Sequence, residues 1–155
     1  MDSFLSRLLL RPVLLIIILF LALDAFAARA AQCESRNKAS SASPVLASAE
    51  GQASYFGKGL EGELTASGEP FDPDELVAAH PGYPLGTVAR VVNLDNGCAV
   101  VVRIIDRGPA QPAQQNGVII DLSQTAARAL SFVKDGKAPV RVEVLKWGKD
   151  KKPPI

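Results

Sequence analysis

Sixteen residues, Thr65-Ala-Ser-Gly-Glu69-Pro-Phe-Asp72-Pro-Asp-Glu-Leu-Val-Ala-Ala-His80, bring the acids Glu69 and Asp72 together with the only histidine of the chain. Pro70 and Pro73 fix φ beside both acids, so the segment reads as a stiff polar loop. A stiff loop that presents carboxylates and an imidazole is suited to general acid–base chemistry. A second cluster, Asp106-Arg107-Gly108-Pro109, follows a strongly apolar run, and a third, Ile119-Ile-Asp121-Leu-Ser123, sets an acid between an apolar run and a helix start. Each also has a plainer reading. Asp72 and Asp121 suit turns and helix caps. His80 precedes Pro81 and could be structural, and Asp106–Arg107 could be a local ion pair worth little if exposed.

The elements that must hold these residues are mostly short strands. Gln52–Phe56 reads as a first strand, with order expected from about Gly51. Gly57–Pro84, rich in Gly, Pro and Asp, reads as loop with one turn of helix over Asp72–Ala79. Thr87–Asn93 and Cys98–Ile105 are heavy in β-branched residues, and Asp95-Asn-Gly97 between them is a hairpin signal. Ala110–Gly117 reads as a loop and Gly117–Ile120 as a brief buried strand. Ser123 reads as the N-cap of a helix over Gln124–Leu130. Pro139–Lys146 alternates valines with charged residues, the pattern of a strand with one buried face. Many short strands, one clear short helix and long Gly/Pro-rich loops predict an all-β fold, a small closed barrel.

The chain has 155 residues, mean hydropathy +0.15 and net charge +1. Its first 30 residues read as a secretory signal: Arg7 and Arg11, an eleven-residue apolar run over Val13–Leu23, and two A-x-A triplets ending at Ala27 and Ala30. The run is short of the roughly 20 residues that span a bilayer, unless an uncleaved anchor also recruits Leu8–Leu10. From Ala31 onward 14 basic and 14 acidic side chains cancel, so no bulk field favours nucleic acid. Residues 31–50 read as a Ser/Ala-rich tether, 51–146 as the single domain and 147–155 as a basic, Pro-containing, solvated tail. Cys33 and Cys98 could pair in an oxidising compartment or stay as thiols. Gln32 makes Cys33 a poor lipidation site. Two cysteines and one histidine leave no zinc cluster, and no metal or cofactor is expected.

In order along the chain come Gly51-x-Ala-Ser-Tyr-Phe-Gly57, Thr65-Ala-x-Gly-Glu-x-Phe-Asp72, Ala78-Ala-His80, Pro84-Leu-Gly-Thr87, Val92-Asn-Leu-x-Asn-Gly97, Val102-Arg-Ile-x-Asp-Arg-Gly-Pro109 and Ile119-Ile-Asp-Leu-Ser123. This series resembles the RlpA-like (rare lipoprotein A) family over roughly residues 51–146. The resemblance implies a six-stranded double-psi β-barrel with one or two short helices, related to expansins and barwin. It departs from the family pattern at Leu60, Ser67 and Val118, and in a Pro109–Val118 loop about four residues longer than short-loop norms suggest.

What the resemblance implies for function is an exported, periplasmic or secreted lytic transglycosylase acting on peptidoglycan glycan strands stripped of stem peptides. Glu69, Asp72, His80 and Asp106 match the family's catalytic positions, and Tyr55, Arg107 and Asp121 are the matching substrate-binding candidates. A carboxylic acid would protonate the oxygen between MurNAc and GlcNAc, and the MurNAc C6 hydroxyl would close a 1,6-anhydro ring, with no water taking part. The chain is expected to act as a monomer without the SPOR domain of some relatives, and nucleic acid is not expected as a partner. Two other readings are a non-catalytic expansin-like module that binds and loosens glycan, and an inhibitor or structural barrel. Three ionisable residues in one stiff loop favour the enzyme.

Overall fold

The computed structural model describes residues 43–57 and 59–149. The expected signal segment, most of the tether and Cys33 lie outside them. Six strands, β1 (Ala47–Tyr55), β2 (Val77–Ala79), β3 (Val88–Asn93), β4 (Ala99–Asp106), β5 (Val118–Leu122) and β6 (Ala138–Lys146), close into a barrel in the order β1-β5-β2-β4-β3-β6. Two contacts are parallel, β1 with β5 and β2 with β4, and the other four are antiparallel.

Alternation along the strands builds the core. Val140, Val142 and Val144 of β6 meet Ala89 and Val91 of β3, Val102 and Ile104 of β4, and Ile120 and Leu122 of β5 inside the barrel. β-branched residues pack well on a pleated surface, which is why these runs become strands. Leu130 and Phe132 close the lower end, and the buried Asn93 is satisfied there by donating to the Leu130 carbonyl at 2.9 Å. Cys98 is buried in the same core and is disulfide-bonded. Between β3 and β4 the chain turns through Gly97, whose φ of +70° falls in the left-handed region that glycine enters without steric cost.

Four expectations are corrected. β1 begins at Ala47 rather than near Gly51, because residues 47–53 pair with β6 from Val144 to Ala138. Val77–Ala79 is a strand and not a helical turn, since β4 and β5 on either side take up its backbone groups. Gln111–Gln115 is a short helix, α1, inside the expected loop; Pro near its start suits a first turn, where no N–H is needed. Trp147–Lys149 lies against the barrel instead of trailing into solvent: the Gly148 N–H donates to Thr87 Oγ1 at 3.0 Å. The second helix, α2 (Gln124–Ala129), is as expected, with Ser123 Oγ accepting from the Ala126 N–H at its N-terminus. Among the described residues no helix is long and apolar enough to cross a membrane.

Candidate active site

Outside the barrel wall, over β1, β5, β2 and β4, lies a second small apolar cluster of Phe71, Val77 and Ile105 with Phe56 against it. It seats the loop that carries Glu69 and Asp72. Backbone bonds also pin that loop: the Thr65 N–H donates to the Glu69 carbonyl and the Ser67 N–H to the Ile105 carbonyl, both at 2.9 Å.

Asp106 ends β4, and its Oδ1 accepts from the Ala66 N–H at 2.9 Å and from the Arg107 N–H at 2.8 Å. One carboxylate oxygen thus ties the Glu69 loop to the barrel, and the Asp106 carbonyl accepts from the His80 N–H at 3.1 Å. Ala79 is in register with Asp106 on one side and with Asp121 on the other, and Asp121 is in register with Ser54. Two acids therefore flank β2 in a single row across four strands. Neighbouring strands lie about 4.8 Å apart, so their backbones are roughly 10 Å from one another.

Asp121 is half-buried. Ser54 Oγ donates to its Oδ1. Burial pushes its carboxyl above the usual carboxylate range, opposed by the Ser54 hydrogen bond and the positive charge of Lys137. A methyl group at Gly108 would stand 3.4 Å from Asp121 Oδ2, so the Gly108 backbone runs close beside that oxygen.

His80 is buried, and its Nδ1 accepts from the Gly82 and Tyr83 N–H groups at 3.1 and 3.0 Å. An Nδ1 that accepts twice carries no proton, so the neutral ring has its hydrogen on Nε2 and acts as a donor there. Burial, and then the positive charge of Arg107, lower its pKa to about 4. Arg107 donates to the Tyr83 carbonyl at 2.6 Å.

Glu69 is exposed, and both its oxygens accept from Arg103 Nη1, at 2.9 and 2.8 Å, while Arg103 Nη2 reaches Glu75 at 3.6 Å. Asp72 is exposed and closes a local turn, its Oδ1 accepting from the Asp74 N–H at 2.8 Å. Its plainer reading as a turn residue is therefore visible in the geometry. Asp72 Oδ2 takes no hydrogen bond among the described residues. The Tyr55 hydroxyl donates to the Val133 carbonyl at 3.2 Å, while its ring lines a cleft with Phe56, Phe71 and Gln124. A further cleft, with Glu69 and Arg103 in its wall, lies on the other side of the loop.

Thus Asp106 is bonded directly to the Glu69 loop and to the His80 backbone, Arg107 acts on His80 by its charge and holds the Tyr83 carbonyl, and Asp121 shares the strand row of Asp106. Asp72 and Tyr55 form no hydrogen bond to these groups among the described residues. Three participants escaped the sequence reading: Ser54, Tyr83 and Arg103. A lone arginine inside the apolar run of β4 was the available signal for Arg103. Among the described residues no three His, Cys, Asp or Glu side chains could together hold a metal ion.

The profile of a family described as lytic transglycolase matches residues 48–142. The chain is 49% identical over 106 residues to a protein of Nostoc sp. named probable endolytic peptidoglycan transglycosylase RlpA, covering 67% of this chain and 28% of that protein. It is 43% identical over 100 residues to the endolytic peptidoglycan transglycosylase RlpA of Campylobacter jejuni, covering 64% and 35%. The chain thus spans about a third of the length of these relatives. Among solved structures, the Streptomyces papain inhibitor superposes with TM-score 0.53 at 21% identity, covering 66% of this chain and 98% of that one. That likeness is one of fold.

Proposed function

Because the chain belongs to the lytic transglycolase family, we propose that it is an exported peptidoglycan transglycosylase that cuts the MurNAc–GlcNAc bond of glycan strands and leaves 1,6-anhydro-MurNAc ends. The observation that carries this reading is the row Asp106–Ala79–Asp121–Ser54, with a half-buried, protonatable acid at Asp121. The names of the relatives support the substrate class.

In this reading Asp121, and not only the Glu69/Asp72 loop, supplies the proton. Its carboxyl protonates the bridging oxygen as the bond from MurNAc C1 to that oxygen breaks. The MurNAc C6 oxygen then bonds to C1, and its proton passes to the Asp121 carboxylate, restoring the acid. No water is consumed, so the widely spaced acid and base of an inverting hydrolase are not needed. The neutral His80, donating from Nε2, and Asp106, accepting at the oxygen not held by the loop, hold sugar hydroxyl or amide groups. Glu69 and Asp72 border the bond being cut.

Mass spectrometry of purified glycan strands incubated with the full chain tests the reading. Anhydro ends are expected from wild type and absent with Asp121→Asn. Reducing ends would mean hydrolysis instead, and intact strands that still bind the protein would mean a non-catalytic module.

A further inference from the structure

We propose that the cleft beside Glu69, walled by Arg103, Lys146, Trp147 and Lys149, is a subsite for a hexosamine unit that carries a free carboxylate. The proposal rests on the peptidoglycan reading above and assigns a seat to one of its two sugars.

The charge of the cleft is the first reason. Arg103 is already engaged by Glu69 and Glu75, whereas Lys146 and Lys149 are exposed and form no ion pair among the described residues. Against Glu69 and Glu75, the three cations leave one positive charge, carried by two lysines that no carboxylate meets, so the cleft favours an anion. Its volume, about 420 Å³, falls in the range of small-molecule sites.

The aromatic wall is the second. Trp147 is half-buried and packs edge-to-face on Tyr83, ring centroids 5.4 Å apart, and Tyr83 stacks on His80 at 3.6 Å. Three rings in sequence thus connect the cleft to His80. An indole offers an apolar surface of the kind a sugar ring covers, with a polar edge beside it.

The third is rigidity. A methyl group on Gly148 would stand 2.0 Å from the Leu85 carbonyl oxygen, which means that the backbone after β6 lies directly on the Leu85–Gly86 turn. That contact fixes Trp147 and Lys149 relative to the barrel, as a binding wall requires.

In peptidoglycan the sugars alternate, and only MurNAc bears a lactyl ether, which ends in a free carboxylate once its peptide is gone. A seat that reads this group sets the strand in one of its two registers, and so decides which glycosidic bond meets Asp121.

Calorimetric titration of the full-length Asp121→Asn variant, which does not consume the strands, tests this at low salt. The probes are peptide-free strands, the same strands methyl-esterified, and chitin oligosaccharides. Free-acid strands are expected to bind at least tenfold more tightly than either uncharged probe, and Lys146→Gln/Lys149→Gln added to that variant should erase the difference while leaving binding of the ester unchanged. Equal affinity for acid and ester, a preference that survives the double lysine change, or no binding of any probe would overturn the subsite. A carboxylate preference without anhydro products from wild type would leave the subsite standing and remove the enzyme reading.

Discussion

The imidazole of His80 lies almost flat on the phenol ring of Tyr83, with centroids 3.6 Å apart and planes inclined by 13°. The same Tyr83 gives its N–H to His80 Nδ1. One residue therefore covers a face of the ring and fixes its tautomer. Since His80 is the only histidine, a proton NMR titration reads it without assignment. The midpoint should fall near 4 rather than near 6.5. The unfolded chain takes up this proton first, so the histidine contributes full stability above pH 6.5 and loses it as pH falls towards 4. The loss amounts to roughly 3 kcal/mol at about 1.4 kcal/mol per unit. Urea unfolding of wild type and His80→Gln should diverge across that window and run parallel above it.

Ser54 and Asp121 give a pH prediction of opposite sense for catalysis. A proton donor works below its pKa and fails above it, so cleavage should decline as pH rises through the raised value of Asp121. The Ser54 hydrogen bond holds that value down. Ser54→Ala should therefore move the declining limb of the pH–rate profile to higher pH, and Lys137→Gln should move it the same way. A limb that stays in place in both variants would assign the donor to another acid.

Much of this arrangement was legible in the residues. The β-branched runs of β3, β4 and β6 announced strands, and Ser123 announced a helix start, because those signals are local. Val77–Ala79 was not legible: a strand buried on both faces shows no alternation, and two of its three residues are alanines. The tie between Asp106 and Ala66 spans forty positions and exists only once β4 and β2 lie side by side. The ion pair of Arg103 with Glu69 is likewise a product of barrel closure. The acids and the histidine stood out as candidates by type, but Ser54, Tyr83 and Arg103 did not, and the division of the carboxylates into held and free oxygens needed the fold.

Gly148 and Gly51 separate two kinds of crowding. At Gly51 an added methyl would meet the branched Ile119 side chain at 2.7 Å, with the Gly117 carbonyl oxygen at 3.1 Å, so a side chain is the nearest obstacle. At Gly148 the obstacle is the Leu85 backbone at 2.0 Å. Gly148→Ala should cost about 1–3 kcal/mol or more, by the usual scale of overpacking, and Gly51→Ala distinctly less. Thermal unfolding of the two variants checks the order. Affinity of Gly148→Ala for peptide-free strands should fall even at temperatures where it is fully folded, because its displaced segment carries Trp147 and Lys149.

Asp106 has two jobs that substitution can divide. Its Oδ1 accepts two backbone N–H groups and so fastens the Glu69 loop, while its Oδ2 takes no hydrogen bond among the described residues. Asparagine keeps an acceptor oxygen in the same place and discards the charge. Alanine discards both. Asp106→Asn should therefore retain a nearly wild-type unfolding midpoint and protection of the Ala66 amide from hydrogen exchange. Its yield of anhydro ends should drop by roughly 10- to 100-fold, because an amide nitrogen replaces the oxygen that accepts from the sugar, and a hydrogen bond to a charged group is worth about 1.5–3 kcal/mol. Asp106→Ala should lose the amide protection as well, and about 1 kcal/mol of stability, since both bonds are exposed and water takes the place of the lost acceptor. If Asp106→Asn cleaves like wild type while Asp106→Ala does not, the residue is a positioning residue for the loop and takes no direct part in the reaction. Asp72→Asn offers the same separation for the neighbouring acid. Its side chain can still accept from the Asp74 N–H, so a loss of product there would isolate the missing charge at Oδ2 from the turn that Oδ1 closes.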